Sequence, residues 1–390
     1  MRMERVYVVR RRWALVILLP ILVAAGSAAA FIADRDAQSV RTPPGSSSPR
    51  SGRTQSPQAP PSTSGPSVPR PIPGYLLIAD RGNNRMLLVD SRGHVLWKYP
   101  PPGLKPSFPF YFDDDTFFSK SYHTIISQQE DEQTIQIISF PGDKVLWKYG
   151  HPFVRGSAAG YLSTPDDAYL LPDGTVTVAD VRNCRILFIA HDHKIRRQLG
   201  TTGVCTHDPP RSLASPNGDT PLPDGGTVVT EINGSWVDAI APSGRLEWSV
   251  HAPVRYPSDA QWLGHGMFML ADYSFPGHVL IMNTQGHVVW SYGPSSGAGA
   301  LNHPSLALML PSGLIAVNDD YRDRVVLISR KRKRIVWQYG HTDISGSAAG
   351  FLNTPGWTSC PSAWRLATPS FVRWWNWARD ERVHVHSTSV

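Results

Sequence analysis

The chain has 390 residues, of which 41% are apolar and 18% are charged. This composition excludes a wholly disordered chain and suffices for one large domain or two small ones. The formal net charge of +7 first suggests a nucleic-acid or membrane partner. However, residues 1–33, 34–73 and 356–390 carry +4, +3 and +2, whereas residues 74–355 hold 24 basic and 26 acidic side chains. Because the folded region is close to neutral, we expect it to bind no nucleic acid.

The first 33 residues have the pattern of a membrane or signal segment. Five Arg lie between residues 2 and 12, and the next 21 residues, Trp13 to Ala33, carry no charge. That length can span a bilayer core of about 30 Å, and the Arg cluster predicts an N-terminus inside and the remainder outside. Ala28-Ala29-Ala30 resembles a small-residue cleavage site, so a removed secretion signal is the alternative to a single-pass anchor in the cell membrane. Both interpretations predict an exported domain.

Residues 34–73 have the composition of a linker. They contain ten Pro, nine Ser, three Gly and no aromatic residue. A segment without large apolar side chains cannot bury a core, and its Pro content favours an extended chain. We expect a disordered tether that holds the next domain away from the membrane.

A Trp-containing motif recurs along the rest of the chain. Its copies are VLWKYP (95–100), VLWKYG (145–150), LEWSV (246–250), VVWSYG (288–293) and IVWQYG (335–340), with the degenerate KIRRQLG (194–200) between them. The Trp positions and the equivalent position 197 mark six units of 42 to 51 residues. Each unit contains four short runs of strand character separated by polar turns. This pattern predicts an all-β fold, a six-bladed β-propeller over residues 74–355.

A second motif follows one strand in three of the units. Its copies are ADRGNNR (79–85), ADVRNCR (179–185) and NDDYRDR (318–324). They resemble the NHL-type propeller repeat, and this resemblance implies that the first strand of each unit lines the central channel while the fourth lies outermost. An Asp at a strand end can accept N–H groups of the next turn, and an Arg five residues later can pair with it. We therefore expect a structural role for Asp80, Asp180 and Asp319 and for Arg85, Arg185 and Arg324.

The two ends of the propeller region predict how the ring closes. The first unit begins at residue 74 with its second strand, while residues 339–355 nearly copy residues 149–165, which run directly into an inner strand. We therefore expect the missing strand of blade one to follow Pro355. Residues 356–390 instead contain five of the 13 Trp and no propeller pattern. We interpret them as an atypical tail, for which a one-base change of reading frame is one explanation; a native tail would leave blade one without its inner strand.

Carboxylates occur at the start of several predicted inner strands. They are Asp114, Asp115, Asp166, Asp167, Asp219 and Asp259. If these strands line the channel, their carboxylates gather at one mouth, where oxygen ligands suit Ca²⁺ and can hydrogen-bond a sugar or another polyhydroxylated ligand. The alternative is that each Asp satisfies local turn N–H groups and points into water. No motif requires a cofactor, and Ca²⁺ at the mouth is the one candidate.

The remaining candidate chemistry is sparse. Cys184 and Cys205 lie in one unit and the loop after it, so an exported domain permits a disulfide between them; free thiols and a metal site are the alternatives. The 14 His show no HExxH spacing, and no nucleophile can be placed beside a base. The sequence therefore favours a membrane-tethered binding module that recognises an extracellular ligand or protein. An extracytoplasmic sulfotransferase, lyase or hydrolase is the alternative.

Overall fold

The computed structural model describes residues 75–105 and 108–359, the last four of them by their backbone alone. Apart from the 3₁₀ turns Arg81–Asn83, Val181–Asn183 and Asp320–Arg322, the regular elements of this part are strands. In the same residues, no helix has the length and apolar character that crossing a bilayer requires. The predicted membrane segment, the linker and the tail beyond Ser359 lie outside the described residues.

The strands follow one another in groups that form the blades. Blade one contains β1 (Leu76–Asp80), β2 (Arg85–Val89) and β3 (Val95–Tyr99), and blade two contains β4 (Asp113–Phe118), β5 (Thr124–Gln129), β6 (Thr134–Ser139) and β7 (Val145–Gly150). Blade three contains β8 (Pro165–Leu170), β9 (Val176–Asp180), β10 (Arg185–Ile189) and β11 (Ile195–Leu199). Blade four contains β12 (Pro216–Pro221), β13 (Thr227–Glu231), β14 (Trp236–Ile240) and β15 (Leu246–His251). Blade five contains β16 (Pro257–Gly264), β17 (Met267–Asp272), β18 (His278–Asn283) and β19 (Val288–Tyr292). Blade six contains β20 (Ala307–Met309), β21 (Leu314–Asp319), β22 (Arg324–Ser329) and β23 (Arg334–Gly340), and β24 (Pro355–Ser359) returns to blade one.

The described strands form six antiparallel sheets of four strands each. In every sheet the strands lie in the order in which the repeat presents them, and the first strands of successive blades pack side by side around the centre. The apolar core lies between blades: Ile137 of blade two and Leu187 of blade three belong to one buried cluster. Because both faces of a blade are covered in this way, consecutive residues of its middle strands are buried. The predicted all-β, six-bladed propeller is confirmed.

The ring closes through backbone pairing between the two ends of the domain. Strand β24 is antiparallel to β1, with Leu77 opposite Ser359 and Asp80 opposite Pro355. The predicted closure after Pro355 therefore exists, and residues 356–359 supply it although we assigned them to the tail. The expectation that the given tail leaves blade one without an inner strand is wrong, because ladder hydrogen bonds use backbone groups that almost any residue carries.

Buried Asp–Arg pairs anchor the loops that enter three of the blades. In blade three, Asp180 Oδ1 accepts the Ser163 N–H at 2.7 Å, and its Oδ2 accepts Arg185 Nε–H at 2.8 Å. Ser163 lies in the loop just before the inner strand β8, so the carboxylate holds this strand against the second one. The structure contains the corresponding pairs Asp80–Arg85 and Asp319–Arg324.

The outermost strands carry the links between successive blades. The Trp147 indole donates to the His191 carbonyl of the next blade at 3.0 Å, and the Trp337 indole donates across the closure to the Ser91 carbonyl at 3.2 Å. In blade three, where the repeat lacks Trp, Arg197 Nη2 donates to the Ala241 carbonyl at 3.1 Å. The degenerate unit therefore keeps the same link with a different donor.

Replacing Arg185 by Met tests the structural role of these pairs. Asp180 would remain fully buried without its cation, and breaking a buried ion pair from one side typically destabilises by about 3–5 kcal/mol. We expect the denaturant midpoint of unfolding to fall accordingly. Arg196→Met, which removes a solvent-exposed pair with Asp192 in the same blade, should leave the midpoint within experimental error. Equal midpoints for the two variants would contradict this role.

Candidate functional site

The inner strands bring the six predicted carboxylates into one buried group. Strand β4 carries Asp114 and Asp115, β8 carries Asp166 and Asp167, β12 carries Asp219 and β16 carries Asp259. These four strands are neighbours around the channel. Asp219 has no exposed surface, and Asp167 is 2% exposed. These carboxylates therefore lie together among the inner strands and are buried there, except for Asp166, which is partly exposed.

Two sets of these carboxylates have the spacing of metal ligands. Ligand oxygens of Asp115, Asp166 and Asp167 lie within 4.8 Å of one another. The same holds for Asp114, Glu130 and Asp166, so Asp166 belongs to both sets. Oxygen-only clusters of this kind suit hard cations such as Ca²⁺.

A glycine lies where one further carboxylate, that of Asp259, approaches Asp167. A Cβ added to Gly218 would lie 2.9 Å from Asp259 Oδ1 and 3.2 Å from Asp167 Oδ2. Asp167 Oδ2 accepts no well-formed hydrogen bond, although Asp115 is close enough to Asp167 to lower its pKa. Neither oxygen of the adjacent Asp219 accepts a well-formed hydrogen bond, although Thr177 is close enough to lower its pKa. Buried acceptors without donors are unfavourable, so this part of the channel favours a cation or protons.

Burial and mutual repulsion set the acidity of the channel. Burial raises the pKa of Asp115 well above its usual value, and Asp167 and Asp114 raise it further. Burial likewise raises the pKa of Asp167, and repulsion from Asp259 and Asp166 raises it further. Neighbouring carboxylates cannot all ionise in a low-dielectric site without a counter-charge. The site therefore exchanges protons for any cation that enters it.

One guanidinium reaches this acidic group from blade one. Arg81 forms an ion pair with Asp114, and its Nη2 lies 3.1 Å from Asp320 Oδ2. Burial raises the pKa of Asp320 to about 8, although Arg81 opposes the shift. Arg81 is 3% exposed, so its charge is committed to these two carboxylates.

Sequence reasoning missed the residues that follow the second strand of each blade. In blades one, two and six they are Arg81, Glu130 and Asp320, which all join the acidic group. The repeat contained the signal, since each stands directly after the last residue of the second strand.

The alternative of local turn capping applies to part of the set. Asp259 Oδ1 accepts the N–H of the next residue, Ala260, at 2.7 Å and the Thr220 hydroxyl at 2.7 Å. Asp167 and Asp219 make no such bond to a following turn in the described residues. Capping therefore accounts for Asp259 but not for Asp167 and Asp219.

The other predicted site residues lie away from the channel. The structure contains a disulfide between Cys184 and Cys205, with Cα atoms 5.2 Å apart. It ties the loop after β11 to the turn before β10. Two residues beyond Cys205, His207 approaches Glu231 and Asp238 of blade four, a group that the sequence analysis did not identify.

Comparison with known proteins supports the architecture. No family model matches the sequence, and no curated protein matches it. A protein of unknown function from Bacteroides caccae aligns with 74% of this chain and 99% of its own, with a TM-score of 0.53 and 17% identity. A streptogramin B lyase structure aligns with 74% of this chain and 90% of its own, and a chain of a nidogen/laminin complex with 74% and 98%; each has a TM-score of 0.49 and 14% identity. The similarity to the Bacteroides caccae protein, at 17% identity, shows the fold alone.

The raised pKa values predict how the stability of the metal-free protein depends on pH. Carboxyl groups in the unfolded chain titrate near pH 4, whereas those of the channel hold their protons to higher pH. The native state then binds more protons than the unfolded chain. The stabilisation that these carboxyl groups contribute is therefore complete below about pH 4 and is lost as pH rises through their native pKa values. In chelator, we expect the free energy of unfolding to fall as pH rises from about 4 through the native pKa values, by about 1.4 kcal/mol per pH unit for each proton involved.

Equilibrium unfolding at several pH values measures this dependence. The double variant Asp115→Asn and Asp167→Asn should flatten it, because an amide does not titrate. Asp173→Asn, in an exposed turn of the blade that carries Asp167, serves as the control and should leave the slope unchanged. Stability that rises with pH over this window would contradict the interpretation.

Proposed function

We propose that this chain is an exported binding module whose channel carboxylates hold a divalent cation, Ca²⁺, and through it an oxygen-rich ligand. The observation that carries the proposal is the convergence of ligand oxygens of Asp115, Asp166 and Asp167 within 4.8 Å of one another, where the buried Asp167 Oδ2 accepts no well-formed hydrogen bond. A divalent cation at that point supplies the missing counter-charge. It also relieves the repulsion among the carboxylates of the neighbouring strands.

The donor set supports a hard cation. Ca²⁺ takes six to eight oxygen ligands in flexible geometry, and the group around Asp115, Asp166 and Asp167 offers carboxylates from two adjacent strands. Transition metals favour imidazole or thiolate ligands. Ligand positions that the protein leaves open on a bound Ca²⁺ can accept hydroxyl or carboxylate oxygens from a sugar or another polar ligand.

The location of this module is part of the proposal. The charge-free segment Trp13–Ala33 after an Arg cluster, and the Pro- and Ser-rich residues 34–73, support a domain tethered outside the cell membrane. Ca²⁺ sites of moderate affinity are suited to extracellular modules. The enzyme alternative gains no support from the fold, because propellers host many unrelated functions.

Calcium binding by the full-length chain tests the proposal. We expect calorimetry to detect a Ca²⁺ site whose occupation releases protons and strengthens as pH rises from about 5 to 8, because the carboxylates must lose protons first. The double variant Asp167→Asn and Asp259→Asn should weaken binding by about 100-fold or more, since Ca²⁺ affinity depends strongly on the number of charged ligands.

Asp173→Asn is the matched control, because it also removes one negative charge from blade three but lies in an exposed turn. It should bind Ca²⁺ as the unmodified chain does. If the unmodified chain binds no Ca²⁺ at millimolar concentration, or if the channel variant binds equally well, these carboxylates have a structural role only.

A further inference from the structure

A second ionisable group lies in blade four, outside the channel. In blade three the last residue of the second strand, Asp180, is neutralised by Arg185, which is its partner across the β9–β10 ladder. In blade four Glu231 occupies that position, and its ladder partner is Trp236. Glu231 therefore lacks the cation that the repeat supplies elsewhere. His207, from the loop before this blade, replaces it with Nδ1 at 3.1 Å from Glu231 Oε2.

The same blade places a carboxylate at a position that is apolar in blades three and five. Asp238 is the third residue of β14, where the equivalent strands of blades three and five place Leu187 and Leu280. Asp238 has no exposed surface. Ser249 is near enough to lower its pKa, yet neither oxygen of Asp238 has a hydrogen-bond partner of good geometry. A buried carboxylate without donors is unfavourable unless it gains a proton or a nearby cation.

The three side chains have the spacing of ligands around one metal ion. Their ligand atoms lie within 4.8 Å of one another. His207 Nδ1 is 3.1 Å from Glu231 Oε2 and 3.8 Å from Asp238 Oδ2. Tetrahedral bonds of about 2.0–2.2 Å to Zn²⁺ separate neighbouring ligand atoms by about 3.4 Å. The observed separations lie on either side of this value.

Surrounding contacts hold the imidazole in this orientation. His207 Nε2 lies 3.3 Å from Ser249 Oγ, an outer contact of the kind that directs the other ring nitrogen at a metal. The Trp236 ring stacks on the imidazole with centroids 4.0 Å apart and planes 7° apart. The disulfide at Cys205, two residues before His207, ties the loop to blade three. His207 thus enters the site from a constrained loop.

From this arrangement we infer that His207, Glu231 and Asp238 form a binding site for a divalent transition-metal ion, best represented by Zn²⁺. The two carboxylates together carry a charge of −2. A divalent cation beside a neutral imidazole balances this charge, whereas a single positive charge on His207 would not. One nitrogen and two oxygen donors also suit Zn²⁺ better than Ca²⁺. Three protein ligands leave one position for water or a substrate atom, and the side chain of His207, 23% exposed, provides contact with solvent.

Zinc titration of the full-length chain in Ca²⁺-saturated buffer tests this inference independently of the channel. The unmodified chain should bind one Zn²⁺ at this site. Asp238→Leu restores the residue type of blades three and five, so it should fold and lose the site. Outer contacts alone contribute about 10- to 100-fold to metal affinity, so loss of a ligand should weaken Zn²⁺ binding by at least about 100-fold. His207→Gln, at a partly exposed loop position, should have the same effect.

His278→Gln provides the matched control. In blade five, Asp272 occupies the position of Glu231, and His278 Nδ1 lies 3.3 Å from Asp272 Oδ2. The position of Asp238 is occupied there by Leu280. This variant should bind Zn²⁺ as the unmodified chain does. Zn²⁺ should raise the melting temperature of the unmodified chain but not that of Asp238→Leu. The inference is overturned if His207→Gln and Asp238→Leu retain the original affinity, or if the unmodified chain binds Zn²⁺ no better than they do.

Discussion

The arrangement of the central channel depends on the closure of a ring. Strand β24 and strand β1 are separated by most of the domain in sequence, yet they form one blade through backbone hydrogen bonds. Without this pairing β1 would present an open edge, and the channel would lose one of its walls. Side chains reinforce the closure: Asp80 accepts the Asn353 N–H at 2.8 Å, and Arg85 donates to the carbonyls of Ser347 and Phe351.

A closed ring explains how so many carboxylates can be buried together. Inner strands that run side by side bring Asp115, Asp167 and Asp259 towards one axis, although each is remote from the others in sequence. Repulsion among these carboxylates opposes folding, whereas burial of the apolar clusters between blades favours it. A scaffold with this much buried apolar surface can therefore hold an electrostatically unfavourable channel. Such a channel gains stability from any cation that it binds.

Differences between equivalent positions of the blades mark the candidate sites. Where blade three has Asp167 on its inner strand, blade four has Gly218, which leaves the space into which neighbouring carboxylates point. Where blade three has Leu187, blade four has Asp238. Positions that match in every blade maintain the ring, whereas these departures disturb local packing without improving it. Departures of this kind are expected at functional sites.

The sequence by itself determined the architecture: six repeats with four strands each, and the pairs such as Asp180 with Arg185. These features are local or periodic, so spacing and residue type reveal them. Only the tertiary structure decided that residues 356–359 close the ring, because backbone pairing places little demand on side chains. It also decided that the channel carboxylates are buried and joined by Arg81, and that His207 meets Asp238. Contacts between blades depend on how all the blades are arranged around the ring, and no short segment of the chain contains that information.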